Sequence, residues 1–467
     1  MHQIYYDTET TGSSTAFDSI TEIYLSLNDE NFQELENLHL RCRLKEGVIP
    51  NLNALLITKT TVDQLKGNNL SHAQLIHQVY SKIQTWSPAY FLGYGSINFD
   101  VEFLRKKFFQ NLQDPYIMNF NGNKNVDVLS LIRAAKLVKD DVIKTEISEK
   151  GNPVFKLDKL MGHQDAHGAK PDTIQAKKVS EIVFKKANAV WRSGFMTASR
   201  IDCENLIRNE KMFCNLEYFY GKLRIFLVHH YLFHPIYKWG ICWDLQHHPK
   251  DYINLDKQAL TDAMSKNPKI FRTVRTNKSP VLLNSSYSKK VEPYSKISTE
   301  DLNQRIEILK QAKDFKKLVS IILQEKALDK QHDKESNISQ IKPEEKIYTG
   351  FPSTEEKQKM FNFHTAEWED KVKFMDKFSL DYNTHFAKRY LYEEQPNVLP
   401  DSIYKEVKRE IAQRILSTDE VNWTTVSEFY RQIDQERNKS ENDPKRMKLL
   451  DEYNDFVMSI QKKYEAA

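Results

Sequence analysis

The residues Asp7-Thr8-Glu9-Thr10-Thr11-Gly12 follow directly on an apolar run, Ile4-Tyr5-Tyr6, and place two carboxylates one residue apart. Side chains two positions apart share one face of a β-strand, so Asp7 and Glu9 point the same way. Like charges held at short range repel, and the arrangement costs stability unless a cation lies between them. Hard divalent ions such as Mg²⁺ take oxygen donors of this kind. A solvent-facing strand end running into a Thr-Gly turn would also explain an isolated pair, so the metal reading depends on further carboxylates.

Two more stand at element boundaries. Tyr90-Phe91-Leu92-Gly93-Tyr94 reads as a short buried strand, and Asn98-Phe99-Asp100 leads from it into a helix over Val101–Phe109. Asp is a preferred N-cap, which is the plainer role for Asp100, although a capping carboxylate keeps a second oxygen for a metal. Further on comes His163-Gln164-Asp165-Ala166-His167-Gly168-Ala169-Lys170-Pro171-Asp172. Pro171 suits the first turn of a helix, because its missing N–H costs nothing there. That helix is expected to run to about Lys186. It places Asp172 in the first turn and His167 on the loop before it, so both can converge on one cavity. His163 reads as an ordinary surface residue.

These side chains need a scaffold. Ile20–Leu27 and Leu38–Leu44 are expected to pair with the first strand as a meander, and Leu55 to Ile83 carries helical spacing. Val126–Leu137 is expected to be another helix. From Trp191 onward alternation returns in Ile225-Phe226-Leu227-Val228, Tyr237 to Trp243, Phe271 to Arg275 and Val281-Leu282-Leu283. This predicts a mostly β second domain. Its interleaved aromatics and bases suit a single-strand surface, and core and surface alternation explains the same pattern. Residues 326–346 are nearly free of apolar side chains and read as a linker. Helical spacing beyond them predicts an all-α C-terminal part.

The 467 residues call for more than one core, and three domains are expected: 1–188, 189–325 and 347–467, with the linker between the last two. A hydrophobic share of 40% and a charged share of 28% are those of a water-soluble globular chain. No run reaches the length of a membrane span and the N-terminus has no apolar leader, so no membrane role and a cytoplasmic location are expected. Cys42, Cys203, Cys214 and Cys242 lack metal or disulfide spacing and are expected to be buried thiols. The net charge is only +4, but the bases crowd residues 101–200, as suits a polyanion drawn toward metal-neutralised carboxylates. There is no Gly-rich phosphate loop and no His-Glu-x-x-His pattern.

The order and spacing of Asp7, Glu9, Asp100, His167 and Asp172 resemble the DEDDh exonuclease superfamily. Its motifs read Asp-x-Glu-Thr-Thr-Gly, an Asn-x-x-Asp-like element and His-x-Ala-x-x-Asp, with Thr173 here where Ala is common. The resemblance to the bacterial exodeoxyribonuclease I family covers nearly the whole chain. It is carried by Tyr94 to Asp100, Asp114-Pro115-Tyr116, Gly151 to Leu157, Asn277 to Leu282 and Tyr348 to Ser353. This resemblance implies an α/β fold: an RNase H-like exonuclease domain with a mixed β-sheet, an SH3-like β-barrel-containing domain and an all-α C-terminal domain.

It also implies processive 3′ to 5′ degradation of single-stranded DNA to 5′-mononucleotides, in repair and recombination. Asp7, Glu9, Asp100 and Asp172 would hold two Mg²⁺ ions, with Mn²⁺ as a substitute, and Asp7 would bridge them. Two such ions can activate a nucleophile, neutralise the phosphate and stabilise the leaving oxygen. His167, with an ordinary pKa of about 6.5, would accept the proton of the attacking water. Glu9, Thr10 and Thr11 would contact the substrate. The expected partners are single-stranded DNA and the acidic tail of single-stranded DNA-binding protein, and the expected state is a monomer. A 3′ to 5′ exoribonuclease or proofreading exonuclease with the same catalytic domain, and an inactive single-strand-binding module, are the alternatives.

Overall fold

The strand that carries Asp7 and Glu9, β1 (His2–Thr10), is the middle strand of a five-stranded mixed sheet. The others are β2 (Ile20–Asn28), β3 (Glu34–Arg41), β4 (Ala89–Gly93) and β5 (Lys124–Asp127). Their order is β3-β2-β1-β4-β5, with β1, β2 and β3 antiparallel and β1, β4 and β5 parallel. The computed structural model describes residues 1–67, 70–162, 168–335 and 341–465, without the side chains of 331–335.

Period-two alternation sorts β1 into two faces. Ile4 and Tyr6 enter one apolar cluster with Phe91, Phe103 and the helix His72–Trp86. Tyr5 enters another with Leu92, Val126 and the helix Ala169–Lys186, which lies across β1 and β2. Every residue of β2 is buried, so its meander partners flank a central strand rather than an edge. The expected helix over Val126–Leu137 begins at Val128, because Val126 and Asp127 close β5 and Asp127 caps the helix.

The second sheet is antiparallel throughout. It contains β6 (Phe213–Phe219), β7 (Lys222–Phe233), β8 (Gly240–Asp244), β9 (Phe271–Val274) and β10 (Leu282–Asn284), in the order β10-β6-β7-β8-β9. Among the described residues β9 and β10 are its edges and do not pair with each other. β6 is absent from the sequence expectation, because Asn215, Glu217 and Tyr218 interrupt its apolar pattern.

Within the expected linker, 326–346, the described residues include helical stretches. Lys313–Glu335 is continuous, and a 3-10 turn occupies Pro343–Tyr348. The Lys, Glu, Gln and Ala of this stretch are good helix formers, and a mostly solvated helix has the same polar composition as a linker. From Thr354 the chain is helical to Glu465 apart from short connections. The apolar clusters cross the expected boundaries. One joins Leu92 and Val126 of the first sheet to Cys214 and Trp243 of the second. Another joins Leu52, Leu55 and Phe109 to Phe386, Ile411 and Tyr453. All four cysteines are buried and free, and no described helix is long and apolar enough to cross a membrane.

Candidate active site

On the helix Ala169–Lys186, residues 172, 176, 179 and 183 fall on one stripe, three or four positions apart. Ala176, Val179 and Val183 are buried, and they face the side of β1 that carries Tyr5. The stripe ends in Asp172, and the same face of β1 ends in Asp7 and Glu9. Carboxylate oxygens of Asp7, Glu9 and Asp172 lie within 4.8 Å of one another, and all three residues are half-buried. Asp7 and Glu9 make no ion pair among the described residues.

Asp100 reaches the site from the opposite side of the sheet. It is buried, at the first residue of the helix Asp100–Gln110, and the preceding Phe99 contributes no side-chain cap. Its carboxylate does not cap the helix; it accepts a hydrogen bond from Thr8 Oγ1 at 2.5 Å. Asp100 is therefore outside the three-oxygen group, but its charge acts on it. His167, with 163–166, lies outside the described residues.

Burial and mutual repulsion dominate the electrostatics. Burial, then the charges of Asp100, Glu9, Asp172 and Glu22, hold the Asp7 carboxyl well above the usual carboxylate range. Burial and the same kind of repulsion push Glu9 up to about 8, with Asp172 and Glu22 the strongest neighbours. Burial raises Asp100 to about 6 despite the Thr8 hydrogen bond. A hard, oxygen-only donor set whose ionised form is disfavoured by burial and mutual repulsion fits divalent cations.

Glu22 is the acid that sequence reasoning missed. It sits opposite Glu9 in the β1–β2 register and is buried. Arg41 pairs with it, and His39 Nε2 lies 2.7 Å from its other oxygen. Its only sequence signal is an acid within an otherwise buried apolar strand, and the register is needed to place it.

Thr10 and Thr11 build the turn after β1. Thr10 Oγ1 donates to the Gly12 carbonyl at 2.7 Å, and Thr11 Oγ1 donates to Asp18 and accepts from Ser19 N at 2.9 Å. Their hydroxyls are buried and committed to the chain, and the Thr11 N–H and carbonyl are bonded to Ser19 and Asn51. A Cβ on Gly12 would collide with the Asp18 carboxylate.

Beside the helix Asp100–Gln110 lies a surface of bases and rings. The Arg105 guanidinium stands 5.4 Å from the Tyr116 ring centre. Tyr116 in turn neighbours Phe120 and Phe351, both exposed.

The family model of the Exonuclease I C-terminal domain matches residues 341–460. Exodeoxyribonuclease I of Buchnera aphidicola subsp. Acyrthosiphon pisum is 26% identical over 381 residues, which are 76% of this chain and 88% of that protein. Over most of its length the chain is similar to bacterial exodeoxyribonuclease I. Solved exonuclease I structures share the fold along its whole length. That of Methylocaldum szegediense superposes with a TM-score of 0.83 at 19% identity, covering 98% of this chain and 99% of that one. Escherichia coli Exonuclease I in complex with a dA16 oligonucleotide has a TM-score of 0.81 at 19% identity, with the same coverage. A solved ExoI/SSB-Ct complex matches at 0.80 and 18%.

Proposed function

We propose that this chain is a 3′ to 5′ exonuclease that hydrolyses single-stranded DNA processively to 5′-mononucleotides, as a monomer acting in DNA repair and recombination. The observation that carries the reading is the convergence of Asp7, Glu9 and Asp172 on one face of the first sheet. Similarity to exodeoxyribonuclease I supports the choice of reaction, and the oligonucleotide bound to the E. coli protein of the same fold supports the choice of strand.

Asp7, Glu9 and Asp172 would hold two Mg²⁺ ions, or Mn²⁺ in their place, with Asp100 as the fourth carboxylate. When bound, such ions neutralise the phosphate, activate water and stabilise the leaving oxygen. Water attacks the terminal phosphorus, the P–O3′ bond breaks, and the shortened strand keeps the 3′-hydroxyl. His167 is assigned the proton of the attacking water from its motif, and its ordinary pKa of about 6.5 suits that role near neutrality. The Thr8 hydrogen bond holds the Asp100 carboxylate, and the Thr10–Thr11 turn fixes where β1 ends. Exposed Phe120 and Phe351 around Tyr116 offer bases a stacking surface.

The three domains belong to the same reading: exonuclease over 1–188, SH3-like over 189–325 and helical over 347–467, with the acidic tail of single-stranded DNA-binding protein as a partner. The ExoI/SSB-Ct complex of a relative supports that partner. A digestion panel tests the proposal. Mg²⁺ should release 5′-mononucleotides from the 3′ end of single-stranded DNA, with duplex DNA and RNA resistant and chelator abolishing release. Equal or faster release from RNA would replace the reading with an exoribonuclease, and no release with Mg²⁺ would leave a binding module.

A further inference from the structure

The first turn of the helix Asp100–Gln110 is held from two sides. Thr8 grips Asp100 from the first sheet. Glu102, two residues on, points away from Asp100, because side chains at i and i+2 of a helix do not face each other. Its carboxylate is 16% exposed and gathers three partners from three parts of the chain. Arg105 of the same helix donates from Nη1 to Oε1 at 2.6 Å. Lys278, in the loop after β9, donates to Oε1 at 2.8 Å and reaches the Ile97 carbonyl at 3.4 Å. Tyr348, which ends the 3-10 turn Pro343–Tyr348, donates its hydroxyl to Oε2 at 3.0 Å. An exposed ion pair contributes little, but a largely buried carboxylate with two cations and a hydroxyl fixes geometry.

We propose that Glu102 is a positioning residue: it ties the first turn of the Asp100 helix to the second sheet and to the C-terminal helices, so that Asp100 is placed only when all three are docked. The proposal rests on the nuclease reading. Asp100 has no capping neighbour to hold the turn, and its charge is among those felt most strongly by Asp7. A loosened turn therefore moves a carboxylate of the site without removing it.

The test uses the full chain and the variants Glu102→Gln, Lys278→Met and Tyr348→Phe. Cleavage of single-stranded DNA is followed at steady state across a strand-concentration series, and backbone hydrogen exchange is followed without strand or metal. Glu102→Gln should slow cleavage by about 10- to 100-fold with KM little changed, the scale of a misplaced catalytic group. Lys278→Met and Tyr348→Phe should each slow it by about 3- to 10-fold. Each should add little in the Glu102→Gln background, because all act through one carboxylate. In each single variant, amides 97–105 should exchange faster while those of β1 and β2 do not. Cleavage within about twofold of wild type, additive losses, or exchange raised uniformly along the chain would overturn the proposal. A wild-type chain that does not cleave at all would overturn the nuclease reading instead, and the exchange arm would still decide the tie.

Discussion

Two groups of buried or half-buried acids stand in this molecule, one at each sheet, and they are treated in opposite ways. In the second sheet Asp244 is fully buried and saturated. Arg272 Nε donates to it at 3.0 Å, the Tyr294 hydroxyl at 2.7 Å, and Gln246 through both its backbone and its side-chain amide. Arg272 also reaches Glu217 at 3.2 Å and lies 3.5 Å from the Phe226 ring centre. In the first sheet Asp7 and Glu9 face each other and Asp172, while the nearest guanidinium, Arg41, is spent on Glu22. Breaking a buried pair costs stability, and leaving buried acids facing one another costs it too. The first arrangement is a structural device; the second is strained until something positive arrives, which is the mark of a site.

Substitutions should separate the two groups sharply. The largest effect is expected for Asp7→Asn, which removes a charge that the site requires. Single-turnover cleavage of single-stranded DNA should fall by roughly four orders of magnitude or more, with the melting temperature unchanged or higher. His167→Ala should cost roughly 10²- to 10⁴-fold in the same assay and change the pH–rate profile, the usual worth of a general base. Asp244→Asn should do the reverse. Denaturant unfolding should show a loss of about 3–5 kcal/mol, because it removes the buried charge that Arg272 and Tyr294 are arranged around, while cleavage per folded molecule stays near wild type.

The smallest effect is a pH dependence whose sign differs between groups. Glu9 is raised to about 8 by burial and neighbouring acids, above its unfolded value of about 4.3. Its contribution to stability is therefore complete below the unfolded value and lost as pH rises through about 8. Glu344 runs the other way: burial raises it, but the charges of Arg414 and His385 and its hydrogen bonds together hold it down to about 2. Its contribution is present above about 4.3 and lost as pH falls toward about 2. Denaturant midpoints in chelator should decline from pH 6 to 9 in wild type, with a shallower decline in Asp7→Asn. Equal slopes would mean that the first group is not strained.

The parts of this contrast that were legible in the sequence are those that depend on local period. Alternation puts Asp7 and Glu9 on one face, and Pro171 marks the turn that presents Asp172. The helix starting at Asp100 was legible, but its partner Thr8 lies 92 residues away, so an N-cap remained open until the contact was seen. Glu22 requires the β1–β2 register, and Glu102 requires partners 176 and 246 residues distant. Composition alone also could not separate a linker from a helix at 326–335, which continue the helix Lys313–Glu335.

The effect of divalent cations on the folded protein is the sharpest test of whether these acids form a metal site. A thermal melt of strand-free wild type and Asp7→Asn across a Mg²⁺ series measures this, since a ligand that binds only the folded state raises its melting temperature. Wild type should be stabilised progressively, and Asp7→Asn should respond weakly or not at all. Equal stabilisation of both proteins, or none in wild type, would contradict the claim that these acids are assembled to hold metal.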